Sequence, residues 1–256
     1  MNSATERAGR ASQRWFHRPE PRPEARIRLV CVPYAGAGAG VFRHWTTGLP
    51  TDVELVAVRL PGRENRVREQ PYSDWPALVA AFSAALMEQV PPPYMLFGHS
   101  MGGMLAYEVA SRGIDNPPER VIVSGCRAPG APRTLPAIHH LPDAQLAEAL
   151  GGLAGTPPQV LANPELLALL MPMLRADLRL AETWPTRSQG LTPPVPVPVT
   201  TFCGTDDDIA PEAAVTAWRP LAPRGFRSHR IPGGHFFLHD SADETVRLLC
   251  SELARN

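Results

Sequence analysis

Tyr94-Met95-Leu96-Phe97-Gly98-His99-Ser100-Met101-Gly102-Gly103-Met104-Leu105-Ala106-Tyr107 is the stretch on which the fold turns. Its first residues form a short apolar run of the kind that makes a buried strand, and its last residues open a helical pattern. Between them stands G-x-S-x-G, with a further glycine at 103. A chain that passes this abruptly from strand to helix needs glycine on both sides of the turning residue, where side chains would collide with adjoining backbone. A serine held there projects its hydroxyl out of the sheet. The helix N-terminus beside it favours developing negative charge. A bare G-x-S-x-G is common by chance; the preceding strand and following helix give this one its specificity.

Working outward, apolar runs of strand length recur at 28–34, 54–60, 120–124, 195–203 and 228–231. They are nearly continuous in Val, Leu and Ile rather than alternating, which predicts a sheet covered on both faces. Helical patterns at 77–89 and 101–112 fall between strands and imply βαβ crossovers. The expected fold class is therefore α/β, with a mostly parallel, doubly wound sheet. One region breaks the alternation. Residues 131–194 contain no good strand; helical patterns at 143–150, 164–170 and 172–183 are separated by glycines and prolines, and a proline-rich stretch closes the segment. This reads as a helical lid inserted into a core formed by 15–130 and 195–256. Residues 1–14 are polar, lack an apolar core segment and read as a disordered tail, not a signal peptide.

A serine hydroxyl is a weak nucleophile and requires a base. When a serine sits on such an elbow, the partners follow in the order Ser, Asp or Glu, His, with the histidine on a late loop of an α/β-hydrolase fold. Of eight histidines, His235 in Pro232-Gly233-Gly234-His235 fits best. His229 and His239 are weaker candidates, and His99 adjoins the serine but is expected to point elsewhere. Asp206, Asp207 and Asp208 follow the penultimate strand and offer three carboxylates that could hold the imidazole tautomer. Two backbone N–H groups are needed for an oxyanion. Met101, after the serine, supplies one, and Ala35, in the glycine-rich loop after the first strand, is expected to supply the other. Neighbouring Tyr34 is expected to face substrate. The spacing Gly36, Gly38, Gly40 is not G-x-G-x-x-G, so a dinucleotide site is discounted.

Composition narrows the alternatives. The 256 residues carry 25 basic and 25 acidic side chains, so no net field gathers nucleic acid. Every basic residue is arginine, which removes lysine chemistry. No apolar run approaches the ~18 residues of a membrane span. The four cysteines are scattered without a C-x-x-C pair and read as reduced thiols of a cytoplasmic protein. No metal or cofactor is implied, and a monomer is expected.

The chain resembles the type II, or editing, thioesterases that accompany polyketide and nonribosomal peptide synthetases. The resemblance runs from about Trp15 to the C-terminus. It is carried by RLVCVPYAG (28–36), RLPGRENR (59–66) with its P-G-R-E-x-R signature, FGHSMGG (97–103), and the lid stretches LPDAQLAEAL (141–150), GGLAGTPPQVL (151–161) and LLMPMLRADLRLAE (169–182). It implies Ser100, Asp207 and His235 as the catalytic set, the G-x-x-D position selecting Asp207, and it agrees with Ala35 and Met101 as oxyanion donors. It implies removal of unwanted acyl groups from phosphopantetheine arms, with acyl or peptidyl carrier proteins as partners. Leu146, Leu150, Leu153, Leu170, Met171 and Leu174 are expected to line an acyl chamber or to pack on the core. Arg133, Arg175, Arg179 and Arg187 are candidates for carrier docking. The chain departs from the family pattern at AGAGAG in the first loop, at Asp208 and at Trp184.

Three other readings compete. A small-molecule esterase or lipase would carry the same triad, and only substrate comparison separates it. An acyl-transfer or macrocyclising enzyme would be expected to follow a carrier domain. A non-catalytic binding scaffold of the same fold has no need for an intact Ser, Asp and His set.

Overall fold

A computed structural model of the chain describes residues 14–153, 155–184 and 193–255. The tail reading therefore falls, except for Arg14, outside the described residues, as does Arg187.

Seven strands form one sheet: β1 (Phe16–His17), β2 (Ile27–Val32), β3 (Val53–Val58), β4 (Tyr94–His99), β5 (Arg120–Ser124), β6 (Val199–Gly204) and β7 (Phe226–Ile231). The spatial order is β1-β3-β2-β4-β5-β6-β7. All pairs are parallel except β1 with β3. The period of two along each strand divides the core. Val30, Val32, Val56, Leu96, Val121 and Val123 face α1 (Trp75–Gln89) and α2 (Met101–Ala110). Leu29, Cys31, Leu55, Met95, Phe97 and Ile122 face the other way, onto a 3₁₀ segment (Ala39–Thr47) and the C-terminal helix. The doubly wound reading holds.

Strand ends differ from the sequence reading for one recurring reason. Proline cannot donate to a ladder. The first strand stops at Val32, before Pro33, and the penultimate strand starts at Val199, after Pro198, instead of at 195. The two-residue β1 was not foreseen; it is too short to carry a periodic signal.

Between β5 and β6 the described residues form α3 (Asp143–Gly152), α4 (Pro158–Leu161) and α5 (Pro164–Thr183). The sequence suggested two helices meeting at Pro172. There is one, with Pro172 inside it. A proline there costs about 3 kcal/mol through the lost N–H and the clash one turn back. Met171, Met173 and Leu174, buried on either side of it, pack with Leu146 and Leu150 of α3 and offset that cost. The remaining helices are α6 (Glu212–Thr216), α7 (Phe237–Asp240) and α8 (Ala242–Leu253). No described helix is long and apolar enough to cross a membrane.

One polar knot ties α8 to the sheet. Glu252, 1% exposed, accepts from the Thr200 hydroxyl at 2.9 Å and meets His229 Nε2 at 3.1 Å, with Arg227 at 3.4 Å and Arg120 at 3.5 Å. Burial pushes its carboxyl up, but these partners outweigh that and hold it below the usual range. A carboxyl lowered on folding stabilises the fold above its unfolded pKa and loses that contribution as pH falls through its folded one. Glu252→Ala should destabilise the protein by about 3–5 kcal/mol at neutral pH, because buried Arg120 keeps its charge and loses its partner. Urea unfolding at pH 7 and pH 3 checks this: the gap between mutant and parent should narrow in acid.

Candidate active site

The candidate residues collect at the carboxyl ends of the parallel strands, where open α/β sheets place their sites. Ser100 leaves β4 with φ +52° and ψ −117° and caps α2. Its N–H donates to Ser124 O of β5 at 2.8 Å, and its carbonyl accepts from Gly103 and Met104. The flanking glycines are obligatory. A Cβ on Gly98 would lie 2.1 Å from Gly102 O, and one on Gly102 would lie 2.3 Å from Val32 O. Both obstacles are backbone. Met101 is the first residue of α2, so its N–H has no acceptor within the helix.

After β6 the chain turns through the three aspartates. Asp206 and Asp208 are exposed, whereas Asp207 is 4% exposed. Its Oδ1 accepts from the N–H groups of Ile209 at 2.9 Å and Ala210 at 2.8 Å. Nδ1 of His235 lies 2.9 Å from its Oδ2 and donates to it. Burial pushes the Asp207 carboxyl up; the His235 bond and charge, with the two backbone N–H groups, prevail and lower it. It accepts as a carboxylate, which fixes the His235 proton on Nδ1 and leaves Nε2 free to act as a base.

His235 and Ser100 line one cavity of about 400 Å³, together with Tyr34, Ala35 and Met104. The size suits a small-molecule site. The outer wall comes from the segment between β5 and β6: Ile138, Ala149, Leu150, Leu153, Leu178 and Ala181. Of the apolar lid candidates, Leu150 and Leu153 line this chamber. Leu146, Met171 and Leu174 do not line it; they take the packing alternative and close the α3–α5 contact, with Leu170 against it. Helical periodicity marks a buried face without saying what it faces. Buried Arg127 also lines the cavity, and its guanidinium donates to the carbonyls of Ala131 and Trp184, tying the stretch just after β5 to the residue that follows α5.

The three other histidine candidates have partners of their own. His99 is fully buried with Nδ1 on Ser124 Oγ at 2.9 Å. Burial, and then the neighbouring His235, hold its pKa well below the usual imidazole value, so it stays neutral. His239 Nε2 meets the Tyr34 hydroxyl at 2.9 Å, and His229 belongs to the Glu252 knot. Among the described residues no cluster has the makeup of a metal site.

The stretches RLPGRENR (59–66) and LLMPMLRADLRLAE (169–182) meet in the structure. Arg63 and Asp177 from these motifs form an ion pair of 2.8 Å, both nearly fully buried, beside the loop that carries Ala35. A contact between residues 114 positions apart leaves no local signal.

Comparison with known proteins now bears on this geometry. Residues 27–253 match the family described as thioesterase domain. The chain is 34% identical over 243 residues to the gramicidin S biosynthesis protein GrsT of Aneurinibacillus migulanus, covering 94% of each. Among solved structures it superposes on the type II thioesterase BorB of the borrelidin biosynthetic cluster with a TM-score of 0.82, at 32% identity, covering 93% of this chain and 97% of that one. RedJ, a thioesterase of the prodiginine pathway in Streptomyces coelicolor, gives 0.81 at 38% identity, with 91% and 92% covered.

Proposed function

The chain belongs to the thioesterase domain family, and from that premise we propose that it is a type II thioesterase, releasing stalled or unwanted acyl groups from the phosphopantetheine arms of acyl or peptidyl carrier proteins. The observation that supports this most is the convergence on one apolar cavity of Ser100, on its positive-φ turn, and His235, held by buried Asp207.

In this reading Ser100 attacks the thioester carbonyl while His235 Nε2 takes its proton. Asp207 stabilises the imidazolium that results. The N–H groups of Ala35 and Met101 receive the oxyanion. The pantetheine thiolate leaves, and water, activated by the same histidine, attacks the acyl-enzyme and releases the acid. A thiolate is a good leaving group, so its protonation matters less than for an amide.

Residues 131–194 act as the lid, and the acyl group lies under α3 and α5. The C-terminal half of α5 is bolted to the core: Leu180 is buried in it and its carbonyl accepts from Trp75 Nε1 at 2.9 Å. Opening therefore falls to α3, α4 and the connections around Gly151 and Gly152. Two of the four docking arginines are partly committed. Arg133 donates to the carbonyls of Leu135 and Glu182, and Arg175 donates to those of His139 and Leu141. Arg179 is the described candidate that best keeps a docking role.

An acyl-carrier protein should be hydrolysed with higher kcat/KM than the same acyl group on free pantetheine. That advantage should shrink with added salt if exposed charges guide the encounter. Short, non-extendable acyl groups should be released at least as fast as correct extender units. Release measured by mass spectrometry checks all three statements; equal kcat/KM for carrier-bound and free thioesters would reject carrier recognition and leave a general thioesterase.

A further inference from the structure

Tyr34 to Ala37 form a tight turn. Ala37 N–H donates to Tyr34 O at 3.0 Å, and Gly36, its third residue, has φ +81°. That combination is the mark of a type II turn, with Ala35 at its second position. The turn is gripped from outside at two consecutive residues. Asp177 Oδ2 accepts from Gly36 N–H at 2.8 Å, and Arg63 Nη1 donates to Ala37 O at 2.7 Å. The grips are joined, since Arg63 Nη2 donates to Asp177 Oδ1 at 2.8 Å. Leu174, one turn before Asp177 on α5, also presses on the turn: its Cδ2 lies 2.8 Å from where a Gly36 Cβ would be.

The side chains of Arg63 and Asp177 are 4% and 2% exposed. A pair this deep gains little net stability over apolar residues of the same shape. What apolar residues cannot do is hold Gly36 N–H and Ala37 O. We propose that Asp177 and Arg63 are positioning residues, which fix the turn so that Ala35 N–H is aimed at the oxyanion. The proposal rests on the function proposed above. It also makes α5 a shared element, because Leu178 and Ala181 of the same helix line the cavity.

A donor displaced by about 1 Å can lose about 10²-fold in rate. Asp177→Asn and the double replacement Arg63→Met with Asp177→Leu separate positioning from stability. The double variant carries no buried charge; it leaves Gly36 N–H and Ala37 O without their partners, so it should melt below the parent but remain folded at the assay temperature. Its kcat for acyl-pantetheine should still fall by about 10²-fold, with KM changed less than about threefold. Asp177→Asn should fall in the same direction by less. An alkylboronic acid, whose tetrahedral serine adduct occupies the oxyanion position, should lose affinity in step with kcat. A folded variant of either kind with parental kcat and boronate affinity overturns the proposal. Fluorophosphonate labelling of the parent is the control: an unlabelled Ser100 refutes the function itself, whereas a labelled parent beside a fully active double variant refutes only the positioning role.

Discussion

Ser100→Ala should fold as the parent does and turn over thioester more slowly by on the order of 10⁴-fold or more. The turn at Ser100 is held by backbone: its N–H on Ser124 O, its carbonyl on two N–H groups, and the closely packed glycines at 98 and 102. Alanine has the same backbone preferences, so the φ of +52° is no harder to sustain. What disappears is the atom that attacks. The residual rate would come from oxyanion contacts and substrate binding, which alanine leaves in place. Thermal melting and single-turnover acyl release check the two halves, and near-parental turnover would show that another group carries the reaction.

Asp207→Asn should reduce kcat by about 10⁴-fold, while Asp206→Asn and Asp208→Asn stay within severalfold of the parent. The reason lies in how Asp207 is seated. Its Oδ1 faces the N–H groups of Ile209 and Ala210, which an asparagine satisfies with its carbonyl oxygen. That choice turns the amide NH₂ toward His235 Nδ1. Two donors cannot share one bond, so the histidine moves its proton to Nε2 and can no longer accept one from Ser100. Asp206, by contrast, takes a hydrogen bond from the Thr205 hydroxyl at the surface. Because Asp207 is held below the ordinary carboxylate range, it stays ionised through mild acid. Separate kinetics on the three asparagine variants decide among the carboxylates; a severe loss at 206 or 208 with a mild one at 207 would reverse the assignment.

The parts legible in the sequence were those written in consecutive residues. The elbow is spelled by glycines that backbone contacts demand and the strands by unbroken β-branched runs, whereas the three aspartates were left open by the residues themselves and only the family resemblance selected Asp207. The structure adds a local reason for that selection: it alone of the three aspartates points inward. Pro172 misled because proline's local cost is visible in a sequence and the packing that offsets it is not. The leucines and methionines between β5 and β6 were visible as an apolar face, but the division into chamber wall and helix contact depends on where α3 meets α5. Arg63 and Asp177 were conspicuous as motif letters, yet a buried pair assembled from two distant segments has no spacing to read.

The double duty of α5 bears on attempts to redesign acyl preference. The cavity has two apolar walls of different character. Substitutions at Leu178 or Ala181 sit on the helix that also carries Asp177, and any shift in that helix is passed to the turn at Gly36. If Asp177 positions that turn, enlarging the chamber from that side should trade selectivity against rate. Ala149, Leu150 and Leu153 sit on or just after α3, which bears neither Asp177 nor Arg63. A combinatorial library confined to those three positions can vary chain length and branching while leaving the reacting groups undisturbed.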